Sequence, residues 1–598
     1  MDCCFWKGIW CDQDTGHVIG LNLSSSYLLG SINFNSSLFH LFHLQHLNLA
    51  FNDFNYSKIP SAFANLTSLT YLNLSNAFFS GQIPFEISRL VSLSTLDLAS
   101  TYDRLPEKAQ LELKRPNLRS LVENLTSLEY LRLSFNKINS RIPSTLANMS
   151  SLRSIILGGC ELFGEFPMAI FQLPKLQVIV VSYNRGLTGN LPEFQFHNQL
   201  MILAIHYTSF SGKLPTSIGM LSSLEHLYAG NCNFSGLLPP SLGNNLKGPI
   251  PPTWVAGNNL KAIQLGQNNL KGKLPRSLAN CRMLEFLDLG NNHIRDIFPY
   301  WLGTLPKLKI LILHFNKFYG AINIPESNSL VPNLQIIDLS HNGFVGLLPT
   351  KYFNVWGAMV DVDKENTKYW HAYDNYKLNG FMDANPYPYS MTIINKGVKM
   401  EYPKVLEIFS AIDLSCNKFE GESSNVVGSL KGLQLLNLSN NILVGPIPLA
   451  LGNLKNLEAL DLSQNKLTGS IPMQLTQLNF LEVFNVSYNN LTGSIPKGQQ
   501  FDTFDNSSFD GNSGLCGFPL SRKCDHLKSS SPPSSNSEGN ENSGLLAEFG
   551  WKTVALGYGC GFLVGVVIGN IVFARTSEQL MRTYRIRLLR GRRMRRIQ

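Results

Sequence analysis

The sequence predicts an α/β solenoid of stacked leucine-rich coils, followed by a single transmembrane helix. Three observations predict it. The phrase L-x-x-L-x-L-S-x-N-x-L-x-G-x-I-P recurs from about Leu21 to Pro496. Equivalent glycines fall 24 residues apart, at Gly421, Gly445, Gly469 and Gly493, and again at Gly212 and Gly236. Thr553 to Ala574 is an uncharged run of 22 residues that stops at arginine.

Each part of the phrase has a physical reading. L-x-L sends alternate side chains inward, as a short parallel strand requires. The Asn five residues after the first core Leu of the strand, Asn465 for example, turns inward, where its amide satisfies backbone groups at the corner; stacked coils make a ladder of such residues. Gly permits the tight bend, and Ile-Pro opens a second extended segment with Pro where no ladder N–H is needed. Clear copies begin at Leu284, Leu433 and Leu457. A period of 24 is that of a leucine-rich repeat. One coil cannot bury its own faces, so neighbours stabilise it and the ends need caps. Roughly eighteen coils at about 4.8 Å each give a stack on the order of 85 Å.

Composition narrows the class. The chain of 598 residues is 44% hydrophobic and 15% charged, so most of it is neither disordered nor suited to nucleic acid. The net charge of +9 sits at one end. Nine Arg and one acid, Glu578, follow Ala574, which leaves about +1 for everything before them. Cys3, Cys4 and Cys11 open the repeated region and Cys516 and Cys524 close it, a pattern of disulfide-stapled caps made in an oxidising compartment. Twelve N-x-S/T sequons agree with secretion: Asn22, Asn35, Asn55, Asn65, Asn73, Asn124, Asn148, Asn233, Asn437, Asn485, Asn490 and Asn506. Several arise from the repeat phrase itself. MDCCFWKGIW has neither a basic nor an apolar region of a signal peptide, which is read as a missing start.

L-x-G-x-I-P is the plant extracellular variant of the repeat. DCCFWKGIWCDQDTGHVIGLNLSSSYLLGSI resembles the N-terminal cap and first coil of plant leucine-rich-repeat receptor-like proteins, the branch with Cf-type disease-resistance receptors; GNSGLCGFPLSRKC resembles their C-terminal cap. The resemblance covers essentially the whole chain. It implies a right-handed solenoid with a parallel β-sheet on its concave face, a Cys4–Cys11 disulfide, a second one closing the C-terminal cap, and an upstream partner for Cys3 that this chain lacks. It further implies a surface receptor without enzymatic activity or cofactor. Such a receptor recognises an extracellular ligand, pathogen-derived or developmental, and signals through partner kinases.

The repeat breaks in places. Pro84 and Pro143 are two periods plus eleven apart, and the charged stretch from Tyr102 is the expected rim insertion. Gly236 and Gly248 are half a period apart, so the sheet is expected to break near Asn244. From about Lys351 to Leu406 no strand phrase occurs; the stretch is rich in aromatics, including Trp356, Trp370 and Tyr373, and its position four coils before the C-cap matches the island domain of the family. The resulting plan is a partial N-terminal cap (1–20), solenoid (21–350), island (351–408), solenoid (409–497), C-terminal cap (498–525), a Ser-rich acidic stalk (526–552), the membrane helix (553–574) and a basic cytoplasmic tail (575–598).

No P-loop, G-x-S-x-G, H-E-x-x-H or kinase signature is present. His371 beside Tyr373 and Asp374 reads as polar surface rather than an acid–base pair. Cys160 and Cys232 occupy the ladder-Asn position as ordinary variants, Cys281 falls on the convex side and Cys416 precedes the ladder residue Asn417. Arg132, His206, Tyr207, Tyr228 and His314 are expected on the concave face, where exposed aromatic and cationic residues make binding hot spots. Trp370, Tyr373, Lys396 and Gly397 of the island join His206, Tyr207 and Tyr228 as candidates for ligand or co-receptor contact; Thr392, Lys396 and Gly397 resemble a motif near the island's end in relatives.

The run 553–574 is long enough to cross a bilayer, and its arginine-rich flank places the tail in the cytoplasm, as in a type I, single-pass protein of the plasma membrane. Gly557, Gly561, Gly565 and Gly569 lie four apart, on one helical face suited to close packing with another helix. The expected partners are an adaptor receptor kinase through this helix, a co-receptor kinase through the island and last repeats, and a peptide or protein ligand, with no nucleic acid. Two rivals stand beside this reading: a wall-associated inhibitor of microbial hydrolases on the same solenoid, and a non-functional fragment of a receptor gene.

Overall fold

The computed structural model describes residues 2–100, 110–115, 117–195, 198–239, 259–323, 333–353, 356–360, 377–378, 381–382, 390–395, 398–402 and 405–524. The solenoid lies within a unit spanning Met1–Asp525; residues 526–598 form a second unit, outside the described residues. The expected membrane helix, its four glycines and the basic tail fall there. Among the described residues no helix is long and apolar enough to cross a membrane.

The three-residue strands come from L-x-L. Leu435–Asn437 pairs in parallel with Ala459–Asp461, which pairs with Val483–Asn485, each in register with the residue 24 further on. Repeating this pairing gives an 18-stranded sheet that begins with Ile9–Cys11, antiparallel to Val18–Asn22. The rest of the coil follows the phrase with one difference. The second extended segment precedes Ile-Pro instead of following it: Lys466–Gly469 and Asn490–Ser494 end before Ile471 and Ile495. Pro448 and Pro472 are then the N-caps of the short 3-10 helices Leu449–Asn453 and Met473–Gln477. Proline suits that place because its fixed φ fits extended backbone and the first residues of a helical turn use no N–H. The second segments pair with one another into sheets of six and seven strands.

The core runs down the inside of the stack. In the coil from Leu433, residues Leu433, Leu436, Leu438, Leu443, Ile447, Leu451 and Leu454 are all buried. Each contributes about 1.5–3 kcal/mol on leaving water. Where the phrase allows Phe before the Gly, rings stack between coils: Phe318, Phe344 and Phe419 have centroids 6.0 and 6.3 Å apart. Gly445 has φ +78°, and a Cβ there would sit 2.7 Å from Cγ of Glu422, so this bend takes glycine on both counts.

The inward turn of the ladder Asn has a cost that the phrase hides. The residue before it takes a left-handed backbone in coil after coil, with φ near +50 to +60° at Tyr183, Phe315, His341, Cys416 and Gln464, and at Tyr207, where Thr208 stands in the ladder place. For a residue with a Cβ this is strained. The amide offsets it. Asn465 Nδ2 donates to the carbonyls of Leu438, Leu462 and Ser463 at 3.0–3.1 Å, and its Oδ1 accepts from Leu443 N at 3.0 Å.

The interruptions do not break the long sheet. His226–Tyr228 pairs directly with Ala262–Gln264, so the expected gap near Asn244 is absent from the ladder, and the irregular residues 240–258 lie outside the described residues. A surplus of half a period is accommodated between strands because three backbone pairs per strand suffice to carry the register. The end of the charged stretch belongs to the coil: Leu111–Glu112 pairs with Gly81–Gln82, and Leu111 and Leu113 are buried in the core, while residues 101–109 lie outside the described residues. Ile336–Asp338 pairs with Ala411–Asp413, which makes the long aromatic segment an excursion between adjacent strands. It begins later than Lys351. Thr350–Phe353 and Gly357–Val360 are short helices; Tyr352, Phe353 and Met359 from them and Trp356 from between them fill the core, so Trp356 is a packing residue.

Candidate functional site

The excursion returns as a hairpin, Met391–Asn395 paired antiparallel with Val398–Tyr402. Alternation along Met391, Thr392 and Ile393 turns two apolar side chains the same way. Both are buried, in one apolar cluster with residues of the long-sheet face that include Tyr228, Ala262, Phe286, Ile310 and Ile336. Polar contacts tie down the edges. Tyr207 Oη donates to Glu401 Oε1 at 2.9 Å, Gln264 Nε2 donates to the carbonyl of Ser390 at 3.2 Å, and Gln335 Nε2 to that of Glu407 at 3.1 Å.

This corrects the expectation of open hot spots. His206, Tyr228 and His314 are buried on the sheet face. Arg132 pairs with Asp97 at 3.9 Å. Tyr207 is half-buried at the corner after its strand, stacked on Tyr183 with ring centroids 4.9 Å apart. The structure brings His206, Tyr207 and His314 into one recess with Gly230, Asn231, Gln264, Gly266, Gln267, Asp288, Gly290 and Asn291, under Ser390, Met391, Thr392 and Glu401 of the hairpin segment. Tyr228 stands behind it, its hydroxyl 3.2 Å from His226 Nδ1. Trp370, Tyr373, Lys396 and Gly397 lie outside the described residues, as do His371 and Asp374.

Titratable groups gather here because the L-D-L-S variant of the phrase puts Asp at the third strand position. Asp338 Oδ2 lies 2.6 Å from His314 Nδ1, and His314 Nε2 lies 2.7 Å from Asn291 Nδ2. Burial alone would pull His314 down, but Asp338, reinforced by Asp288 and Asp413, outweighs it and raises its pKa. Asp338 is correspondingly lowered by His314 and Ser340 against the effect of burial. Burial pushes Asp288 up to about 6, and burial plus the charge of Asp338 pushes Asp413 up to about 8. His206, buried without a charged partner, falls to about 4. Burial and Glu401 push Tyr207 up to about 12.

Asp288, Glu401 and the glycines escaped the sequence reading. The one available signal was Gly in place of Ser in three consecutive phrases. A second recess, lined by His341, Cys416, Asn437, Asn440, Asp461, Gln464 and Asn485 among others, lies further along the same face with about 830 Å³ of space.

The caps and sequons have definite places. Cys4 bonds to Cys11 and Cys516 to Cys524, while Cys3 is a free thiol. Asn35, Asn55, Asn65, Asn124, Asn148, Asn233, Asn490 and Asn506 are exposed. Asn437 is not a usable acceptor: it is buried on the sheet face, bonded through Nδ2 to Asp413 and through Oδ1 to Ser439. Asn22, Asn73 and Asn485 are half-buried on that face, with Oδ1 accepting from backbone two residues on. Cys160 and Cys232 are buried in the ladder, with Sγ 3.1 and 3.2 Å from the carbonyls of Leu133 and Ile205.

Comparison with known proteins agrees with this architecture. Models described as leucine-rich repeat match residues 43–66, 68–90, 127–149, 223–253, 333–354, 432–454 and 456–478, and 241–294. The chain is 36% identical over 729 residues to Receptor like protein 22 of Arabidopsis thaliana, covering 95% of this chain and 91% of that one. It is 32% identical to a Receptor-like protein Cf-9 homolog of Solanum lycopersicum, covering 96% and 90%. A 44% match to Arabidopsis Receptor-like protein 6 is confined to 38% of this chain and 22% of that one. Among solved structures, a plant peptide hormone receptor, RGFR1 in complex with RGF2, aligns with TM-score 0.58 and 28% identity over 82% of this chain and 69% of that one. The Arabidopsis receptor kinase HAESA, in complex with the peptide hormone IDA and the co-receptor SERK1, aligns with TM-score 0.51 and 25% identity over 88% and 95%. A repeat shared along nearly the whole length of both relatives, with stapled caps and no enzyme motif, makes this chain a member of the plant leucine-rich-repeat receptor-like protein family, whose members are receptors without catalytic activity.

Proposed function

We propose that this protein is a type I, single-pass receptor of the plasma membrane that takes an extracellular peptide or protein ligand on the long-sheet face beside the hairpin and signals through partner receptor kinases. The observation that carries the reading is the hairpin Met391–Tyr402 lying on the sheet, where it walls a recess over the continuous ladder. Support from outside the chain comes from RGFR1 and HAESA, whose similar ectodomains are in complex with peptide hormones, HAESA with SERK1 as well. By the same likeness, the last coils and the hairpin segment face a co-receptor kinase. The run 553–574 crosses the membrane, with the arginines after it held against anionic lipid. An adaptor kinase packs on the face of Gly557, Gly561, Gly565 and Gly569, where small residues allow close backbone approach.

The test is co-precipitation of the full chain with receptor kinases from plant membranes, with surface labelling as the control. Gly561→Leu with Gly565→Leu is expected to weaken the adaptor complex at unchanged surface abundance. Deleting 391–402 is expected to remove the ligand-dependent complex. A chain absent from the surface, or one that precipitates no kinase, refutes the reading.

A further inference from the structure

The recess under the hairpin is built by a departure from the repeat. After the strand's last core residue most coils of this region carry Ser: Ser182, Ser340, Ser415, Ser439, Ser463 and Ser487. Three consecutive coils carry Gly230, Gly266 and Gly290 instead, flanked by His206 and His314 at the same position. Two of these glycines sit in close approach to neighbouring side chains. A Cβ on Gly266 would lie 2.7 Å from Oδ1 of Asp288, and one on Gly290 2.6 Å from Nε2 of His314. The missing side chains let a carboxylate and an imidazole fold across the neighbouring strand ends, and they leave about 430 Å³ of space including the mouth.

The lining has one sign of charge to spare. Asp288 stands on the sheet and Glu401 on the hairpin, while His314 is matched by Asp338. His206 is buried, and its Nδ1 has no hydrogen-bond partner. The inner part holds about 20 Å³ for the centre of a water-sized group, somewhat above the roughly 10–15 Å³ that one water needs. That space suits a compact ammonium with three donors better than a planar guanidinium.

We propose that this recess binds a primary ammonium group of a peptide ligand, held by the carboxylates of Asp288 and Glu401. The group is either a lysine side chain or the peptide N-terminus. Burial holds Asp288 well above the ordinary carboxylate range, as it would any acid awaiting a counter-ion.

The site rests on the receptor reading, but its test reads the recess alone. The full chain, kept in mild detergent, is titrated by saturation-transfer NMR with Nα-acetyl-lysine amide, glycinamide, Nα,Nε-diacetyl-lysine amide and Nα-acetyl-arginine amide. Saturable binding of either ammonium probe, weakened roughly tenfold or more by Glu401→Gln and by Asp288→Asn, is the expected result. The better of the two probes identifies the source of the ammonium. Glu401 is exposed on the hairpin, so Glu401→Gln keeps the fold even where Asp288→Asn does not. Equal binding of the diacetylated probe, indifference to Glu401→Gln, tighter binding of the arginine probe or displacement by calcium chloride would each overturn the proposal. None of these outcomes bears on whether a kinase co-precipitates, so the recess and the receptor reading can fail separately.

Discussion

Replacing one ladder residue, Asn465→Ala, tests how the coil is held. In the wild type, Leu443 N–H donates to Asn465 Oδ1, while Asn465 Nδ2 serves the carbonyls of Leu438, Leu462 and Ser463. These partners are not equally dependent on it. Leu438 O also accepts from Asn441, Leu462 O from Asn489 and Ser463 O from the backbone of Asn440. Leu443 N–H, by contrast, donates to Asn465 Oδ1 at 3.0 Å, and Leu443 is buried. The loss is therefore one orphaned donor at about 1–3 kcal/mol plus a fraction of three shared bonds at about 0.5–1.5 kcal/mol each, or about 3 kcal/mol in all. In a stack held by nearest neighbours, that loss falls on the local coils first. Amide hydrogen exchange at Leu443 should accelerate by roughly a hundredfold, while amides near Leu131 keep their rates. Unchanged protection at Leu443 would refute the account and assign the corner to side-chain packing.

Four further outcomes follow. Burial and the charge of Asp338 push the Asp413 pKa up to about 8, so its stabilising contribution is complete at low pH and is lost as pH climbs through about 8; the Tm of Asp413→Asn should gain on that of the wild type as pH climbs toward about 8, whereas parallel Tm profiles count against a buried acid there. Gly266→Ser should destabilise the chain by about 1–3 kcal/mol in thermal denaturation, since its Cβ meets the Asp288 carboxylate; a neutral result means the carboxylate moves freely. Glycan mapping should find Asn437 empty and the glycans at the exposed sequons; an occupied Asn437 would contradict its place on the sheet. Cys160, its thiol pushed up to about 12 by burial, should resist alkylation in the native chain and react only on unfolding.

The solenoid was legible because each feature of the phrase acts within one coil and recurs. Leu460 and Leu462 read as core, Asn465 as the corner amide and Gly469 as the bend without any knowledge of distant contacts. What escaped depended on distance or on backbone state. Nothing in the phrase marks the residue before each ladder position as left-handed, because Tyr183, Phe315 and Gln464 share no side-chain chemistry; the same backbone recurs at Tyr207 and Asn231, before Thr208 and Cys232, so it belongs to the corner and not to the amide. The order of the second strand and proline was misread because Pro is compatible with both sides of that junction. His206 and Tyr228 were placed on the correct face, but their burial comes from Met391 and Ile393, more than 160 residues away, and no local pattern announces it.

Insertion tolerance and site building are two sides of one physical fact. A parallel strand of three residues fixes its register with its neighbours alone, so the chain between two strands is free to lengthen at little entropic cost, about 0.6 kcal/mol for each doubling of a flexible loop. The pairing of Tyr228 with Gln264 and of Asp338 with Asp413 across irregular segments shows that freedom used twice. Most such lengthening would change nothing on the sheet face. The second instance differs because its returning hairpin carries Met391 and Ile393 at alternate positions, which gives it an apolar side matched to the unusually apolar strand positions Ala262, Phe286, Ile310 and Ile336. Once docked, it places Glu401 over Tyr207 and closes a recess above three consecutive coils that carry glycine after the strand. Exchanging Met391 and Ile393 for Ser should therefore release the hairpin and abolish ammonium binding, yet leave the pairing of Ile336–Asp338 with Ala411–Asp413 and the thermal stability of the coils intact. Retained probe binding in that variant would mean that the sheet face alone forms the site.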